Sequence, residues 1–380
     1  MNQTLVIAVT VVAAYPQSNN SDDFSENTFQ IFEQGDPVEE TLVLTHVLFR
    51  HGNRTADGLH ELYPKDPYLY EDYFPYGHGQ LTNTGKFKEY SIGKALKERY
   101  KTFLGEYYYP EIIEAYSTDY NRTKMSLQLV LAGLFPPSSE QIWEESIPWQ
   151  PVPYNYLPKY EDKVLLGVLC PNYLKLYEEV SSSPEMQEVF SGHQTEFDYI
   201  SEHTGLNVTR FYDVYNLYFG ISTEEEWGFE LPDWTKTVWP ETITALAIKD
   251  YFVSMATEDM RKMATGYLLN KIIEDTKKKI LSSQKPGRRI YLYSGHENNV
   301  AELLMSLDVF SVPHVPNYGA YLMLEIHYME GIYGVKIYYE NYEDGGVKLL
   351  KMPSCDEFCP LDKFIEIMQV YIPSDELCGI

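Results

Sequence analysis

The sequence predicts an α/β protein, a sheet with helices on both faces, and three observations carry that prediction. Residues 42–49, LVLTHVLF, form a continuous apolar run, the pattern of a strand covered on both sides. Two later segments repeat its plan, a short apolar strand that breaks into a polar turn and then into a helix-like period. Between the second and third of these units lies a long insertion, roughly 141–245, which holds all five tryptophans: Trp143, Trp149, Trp227, Trp234 and Trp239.

The elements follow in chain order. Leu5 to Ala14 is apolar, with Ala13 and Ala14 as small residues near its end, so residues 1–14 read as a secretory signal peptide, although no Lys or Arg precedes the run. Residues 15–40 are polar and acidic without a single Lys or Arg, the composition of a disordered tail. No later run approaches the roughly 18 apolar residues of a membrane helix, so the mature chain is expected to be secreted and extracellular. Its length of 380 residues allows about two to three domains. A balance of 30 Lys+Arg against 56 Asp+Glu gives −26, a charge that repels nucleic acid and anionic membranes and argues against both as partners.

The first strand, Leu42 to Phe49, ends in Arg50-His51-Gly52-Asn53-Arg54. The second, Ile112 to Ser117, ends in Thr118-Asp119-Tyr120-Asn121-Arg122; its helix carries Leu127, Val130, Leu131 and Leu134 on one face and stops at Pro136-Pro137. The third, Arg289 to Tyr293, runs into Ser294-Gly295-His296-Glu297, with Val300, Leu303, Leu304 and Leu307 on the following helix. In an open α/β sheet such strand ends form the ligand crevice, and the helix N-termini there attract anions. Arg122 alone would read as a surface charge, and His46, midway along a strand, as a core residue. Arg50, His51 and Arg54 together are different. Crowded at the exit of a buried strand they repel one another and lose hydration, a cost that makes sense only if an anion arrives to pair with them. Gly52 lets the backbone turn there. The basic stretch from Lys277-Lys278-Lys279 to Arg288-Arg289 reads as a solvated helix end.

Four cysteines fit an oxidising compartment. Of three connectivities, we prefer a short Cys355–Cys359 staple, which leaves Cys170 to reach Cys378; no His stands beside them at metal-ligand spacing. Asn-x-Ser/Thr occurs at Asn2, Asn19, Asn53, Asn121 and Asn207. Asn207, and next to it Asn19, are the usable glycosylation sites, because Asn2 lies in the signal and Asn53 and Asn121 in the candidate site.

These motifs resemble those of the histidine acid phosphatases, within the histidine phosphatase superfamily, and most closely its insect venom branch. The carriers are Arg50-His51-Gly52-Asn53-Arg54-Thr55-Ala56, Asp119-Tyr120-Asn121-Arg122-Thr123 and His296-Glu297, with "LYPKDPYLY", "LTNTGK", "RTKMSLQLVLAGLFPP" and "PSCDEFCPL" between and after them. The resemblance spans nearly the whole chain from about Thr41. It implies a phosphoglycerate-mutase-like core (41–140 and 246–380) of a mixed, mainly parallel sheet, with 141–245 as an inserted helical cap. It implies a secreted acid phosphatase that hydrolyses phosphate monoesters through a phosphohistidine, with small monoesters or phosphoproteins as substrates and a homodimer as an option. Two departures stand out: Ala56 occupies the place of a usual Pro, and Glu297 that of a commoner Asp.

The chemistry follows from the residues themselves. Neutral His51 is the candidate nucleophile, its other nitrogen held by backbone. Arg50, Arg54, Arg122 and His296 would bind the phosphoryl oxygens, and Glu297 would protonate the leaving alkoxide and then activate water. No metal and no cofactor is expected, because the site's cations are organic. An acidic optimum is expected, because an ordinary Glu titrates near pH 4.3. A phytase-like enzyme and a non-catalytic secreted binding protein are the alternatives. The first would call for more Lys and Arg around the site, and the second for the loss of a nucleophile or clamp residue.

Overall fold

The computed structural model describes residues 40–282, 287–343 and 346–380. The expected signal peptide, the tail before residue 40, and Asn2 and Asn19 lie outside the described residues.

A mixed sheet runs in the order β2-β3-β1-β4-β5-β6, with a short β7 (Cys359–Pro360) also on β5 (Ile332–Glu340). One half is parallel: β1 (Leu42–Arg50) and β2 (Ile113–Ser117) flank β3 (Ile290–Gly295). The other half is antiparallel, with β4 (Tyr321–Met329) on the free side of β1, then β5 and β6 (Lys348–Leu350). Register decides what the parallel half can do. Arg50 faces Gly295 across β1–β3 and Ser117 faces Ser294 across β2–β3, so the three strands end within one residue of each other. Their C-terminal turns therefore open at one edge.

Both faces of β1 are covered, which is why its sequence does not alternate. Val47 and Phe49 pack with Ile92, Leu96 and Tyr100 of α1 (Asn83–Leu104) and Leu127 and Val130 of α2 (Asn121–Leu134). Leu44 and Leu48 pack on the opposite face with Leu269 and Ile272 of α9 (Tyr267–Leu281) and Val300 and Leu303 of α10 (Glu297–Ser306). Each such side chain, fully buried, contributes about 1.5–3 kcal/mol. His46 lies in this second layer, 1 % exposed, stacked 4.7 Å from Tyr291 and bonded to Tyr293 and Thr276. It is a core histidine.

Between β2 and β3 the chain builds α3 (Pro171–Ser181), α4 (Pro184–Ser191), α5 (Gln194–Thr204), α6 (Phe211–Trp227), α7 (Glu241–Ser254) and a short α8 (Glu258–Arg261) before α9. α4 to α7 have their own apolar centre, in which Phe190, Phe197, Phe211, Leu217 and Leu246 surround Tyr63 from the loop after β1. Trp234 packs edge-on against Tyr63 and Trp227 against Tyr73, so these two tryptophans lie along the junction with that loop. Asn207 is exposed in the turn before α6. After β7 the chain closes with α11 (Leu361–Met368). The disulfides are Cys170–Cys378 and Cys355–Cys359, and the first ties the start of α3 to the end of the chain.

Candidate active site

His51 is the first residue past β1. Its N–H donates to Gly295 O on β3, and its carbonyl accepts from Gly319 N. The turn that follows is held against α1 at a pair of glycines. A Cβ on Gly52 would stand 2.5 Å from Gly85 O, and one on Gly85 would stand 2.1 Å from Asn53 O. The imidazole has both nitrogens engaged. Nδ1 lies 2.9 Å from Gly52 O, which can only accept, so Nδ1 carries the proton; Nε2 is left with its lone pair and accepts from Arg122 Nε at 3.1 Å. Burial, then Arg122, Arg50, His296 and Arg54, hold its pKa well below the usual histidine value. Neutral His51 thus presents a nucleophilic Nε2 to the crevice.

The arginines around it are held to different degrees. Arg54 makes a two-pronged pair with Glu61, at 2.7 and 2.5 Å, and Arg122 pairs with Asp57 at 2.8 Å. Arg50 lies over the Tyr318 ring, 3.8 Å from its centre, and donates Nη1 to Pro316 O. Its Nε is 3.5 Å from Glu297 Oε2, a charge contact beyond good hydrogen-bond length. Nε and Nη2 of Arg50 and Nε of Arg54 are buried without a hydrogen-bond partner. Leaving charged donors so costs more than about 1–3 kcal/mol each, a cost that an oxyanion acceptor would relieve.

The third strand end supplies His296 and Glu297. His296 caps α10; its Nε2 is 3.0 Å from Thr118 Oγ1, and its ring meets His51 edge-on at 5.4 Å. Burial, with Arg122, lowers its pKa to about 3 against the pull of Glu297. Glu297 opens the helix and accepts a 2.5 Å bond from the Tyr215 hydroxyl of α6. Burial alone would raise its pKa, but Arg50, His296 and the Tyr215 bond outweigh that and bring it to about 2. The N-termini of α2 and α10 both face this crevice, adding partial positive charge.

All six residues singled out from the sequence meet here: Arg50, His51, Arg54, Arg122, His296 and Glu297. Asp119 does not join them, since it pairs with Lys124. Asp57, Glu61, Thr118, Tyr215 and Tyr318 join the site without having been singled out by the motifs. A buried arginine demands an acidic partner, and Asp57 and Glu61 follow Arg54 closely, so those two had a local signal; Tyr215 and Tyr318 had none. His51, His296 and Glu297 place one donor atom each within 4.8 Å of one another. The three guanidinium groups beside them favour an anion there over a metal cation. A cavity of about 550 Å³ leads away from Arg54, Arg122, His296 and Glu297 between α3, α6, α7 and α10.

Comparison with known proteins gives a consistent picture. The model of the histidine phosphatase superfamily (branch 2) matches residues 41–340. The chain is 39 % identical over 340 residues to the venom acid phosphatase Acph-1 of Apis mellifera, covering 89 % of this chain and 87 % of that one. It is 33 % identical over 338 residues to human lysosomal acid phosphatase, covering 87 % and 78 %. Among solved structures, Hafnia alvei phytase in complex with myo-inositol hexakis sulphate superimposes with a TM-score of 0.66 at 16 % identity, over 89 % of this chain and 98 % of that one.

Proposed function

The chain belongs to the histidine phosphatase superfamily, branch 2, and is an acid phosphatase; from that premise we propose that His51 is its nucleophile and Glu297 its proton donor. The observation that supports this reading best is the state of His51, a buried neutral imidazole whose tautomer is fixed by Gly52 O, next to arginine donors that lack an acceptor.

In the first step Nε2 of His51 bonds to phosphorus while the bond from phosphorus to the ester oxygen breaks. The departing oxygen takes the proton of Glu297. Arg50, Arg54, Arg122 and His296 hold the three remaining oxygens as charge moves through them. Nδ1–H stays on Gly52 O and stabilises the imidazolium that forms. In the second step a water gives its proton to Glu297 and attacks phosphorus, the N–P bond breaks, and inorganic phosphate leaves. The enzyme returns to its starting state. Asp57 and Glu61 balance Arg122 and Arg54, whereas Arg50 faces Glu297 and loses that counter-charge once Glu297 holds its proton.

The same proposal takes 141–245 as a cap over the site, since α6 delivers Tyr215 to Glu297. Secretion is part of it too: the apolar N-terminus, the two disulfides and a relative named for venom support an extracellular protein, and lysosomal relatives make the lysosome the competing address. Among the described residues no helix is long and apolar enough to cross a membrane. We place N-glycosylation at exposed Asn207. A phytase-like preference is the second reading, prompted by the fold of the Hafnia alvei enzyme. The cavity lining disfavours it, because Glu61, Glu178, Asp250, Glu297 and Glu302 face only Arg54, Arg122 and Arg210, with no Lys.

The experiment is an assay with a chromogenic phosphate monoester across pH, with excess chelator or vanadate. Activity should be greatest in acid, survive chelation and fall with vanadate. Activity lost on chelation and restored by a divalent metal would sink the mechanism.

A further inference from the structure

The cavity beyond the phosphate clamp is far larger than a phosphate group needs, and its walls carry a connected series of rings. Tyr215 meets Phe219 at 5.0 Å and Tyr251 at 5.7 Å, both edge-on. Tyr212 stacks on Tyr215 at 6.2 Å, and Tyr177 stands 6.2 Å from Tyr212. The series starts at Glu297, through its bond with Tyr215, and ends at Asp250, whose Oδ1 accepts a 2.6 Å bond from Tyr177. Asp250 is 6 % exposed, and so lines the cavity from a buried position. Tyr251, also in the lining, is 2 % exposed, and its hydroxyl has no hydrogen-bond partner. Past the clamp the wall has one cation, Arg210, and Glu178 holds it at 3.1 Å.

We propose that this aromatic channel is the leaving-group subsite and that, through Asp250, it selects aryl phosphate monoesters whose ring carries an ammonium group. The proposal rests on the reading that the clamp takes the phosphoryl group. With phosphorus at His51, the organic part of the ester has to lie along the side of Glu297, which protonates it, and so lies against the wall that carries Tyr215, Phe219 and Tyr251. Aromatic rings stack there, an ammonium group is attracted to the faces of the tyrosines, and a carboxyl waits at the end. A second anionic group on the substrate would meet Asp250 and Glu302 with no free cation to receive it.

Asp250 is faced by Tyr177 and Tyr173 of α3, Arg210 and Asp213 at the start of α6, Tyr215 further along it, and Glu302 of α10. Burial raises its pKa to about 7, with Tyr177 and Arg210 opposing and Asp213 adding to the rise. In mild acid an entering ammonium group therefore takes the place of a proton. Preference for the cation should grow between about pH 5 and pH 7 as that proton becomes easier to displace.

The test compares phenyl phosphate, 4-(aminomethyl)phenyl phosphate and 4-(carboxymethyl)phenyl phosphate, in which a methylene insulates the charge from the ester. For the wild-type protein KM should be lowest for the ammonium substrate, by roughly tenfold against phenyl phosphate, and highest for the carboxylate. In Asp250→Asn the ammonium advantage in KM should vanish, and in Asp250→Glu it should return in part. Equal KM values in the wild type, or preference for the carboxylate, overturn the proposal without any variant. So does a loss in Asp250→Asn shared equally by all three, which is the mark of a structural role. Failure of the wild type to turn over any of them would remove the phosphatase reading itself, and the proposal with it.

Discussion

The state of individual side chains sets the chemistry. On the proposed mechanism His51→Ala removes the nucleophile, so it should lower kcat by roughly 10⁴-fold or more and leave the fold intact, since the ring projects from a strand exit. Acid-labile, base-stable phosphoryl labelling should appear in the wild type and not in the variant; a label that survives the mutation identifies another nucleophile. Glu297→Gln should slow alkyl phosphates by about 10²–10⁴-fold and aryl phosphates far less, because a phenolate leaves without help. Equal slowing of both would make Glu297 an orienting residue. The pH profile carries a sign that Glu297 defines. With the pKa of Glu297 at about 2, the unliganded residue is a carboxylate across the working range. Bound phosphate adds negative charge beside it and occupies Arg50, and both effects raise its pKa. Activity falls as pH rises through the pKa of a required acid, so the descending limb of kcat, which reports the complex, should lie at higher pH than that of kcat/KM. Tyr215→Phe removes a bond to the charged form and should move the kcat/KM limb upward.

Elements contribute by arriving at one edge. The register of β1, β2 and β3 brings Arg50, Thr118 and His296 together within one residue of each strand end. α1 then clamps the His51 loop through Gly52 and Gly85, where backbone meets backbone. Gly85→Ala would place a methyl group 2.1 Å from Asn53 O, so either the helix or the loop must shift. Overpacking of this kind costs about 1–3 kcal/mol, and because Asn53 lies between His51 and Arg54 the shift should also reduce kcat, by about 10²-fold for a displacement near 1 Å. Measured stability and kcat should fall together; loss of stability with full turnover would mean that the loop holds its shape without α1. The legibility of these elements was uneven for a physical reason. Parallel strands covered on both faces are continuous apolar runs, and they were readable. β4 was not, because Glu325 and His327 interrupt it. Both are buried, and Glu325 is satisfied by Arg99 and Tyr100 from α1 and by His327 beside it, partners that no local period announces.

At the scale of the molecule two sets of buried groups oppose each other. His46 and His296 are held near pKa 3, chiefly by burial, against 6.5 for a free histidine. As pH falls below 6.5 the unfolded chain takes up protons that the folded one refuses, and stability is lost; Glu297, lowered to about 2, acts in the same sense below 4.5. Asp250 and Asp162 are raised by burial to about 7 and 6, and burial beside Asp66 raises Glu224 as well. As pH rises past the ordinary carboxyl range the unfolded chain releases protons that the folded one keeps, and stability is lost again. The melting temperature should therefore be highest between about pH 4.5 and 6.5 and fall on either side; a steady rise to pH 8 contradicts this. The disulfides should differ as well. Cys170–Cys378 spans 208 residues and Cys355–Cys359 only 4, so loop-closure entropy gives about 5 kcal/mol for the first and about 2 for the second. Cys378→Ser should lower stability more than Cys359→Ser, as read by denaturant unfolding.

The three strand exits, the six residues that meet there and the preferred disulfide pairing were legible in the sequence alone. They were legible because the residues proposed as nucleophile, clamp and acid stand in contiguous motifs, and because burying arginine beside histidine has no purpose without an anion. Folding across the sequence was needed to show that Asp57 and Glu61 balance Arg122 and Arg54 while Arg50 faces Glu297, that Tyr215 reaches Glu297 from a helix 82 residues away in sequence, and that a ring-lined channel ends at Asp250. Such pairings follow from distances across the fold. A buried charge must find a partner, but the chain's local pattern does not say which of its many acids and tyrosines folding will bring there.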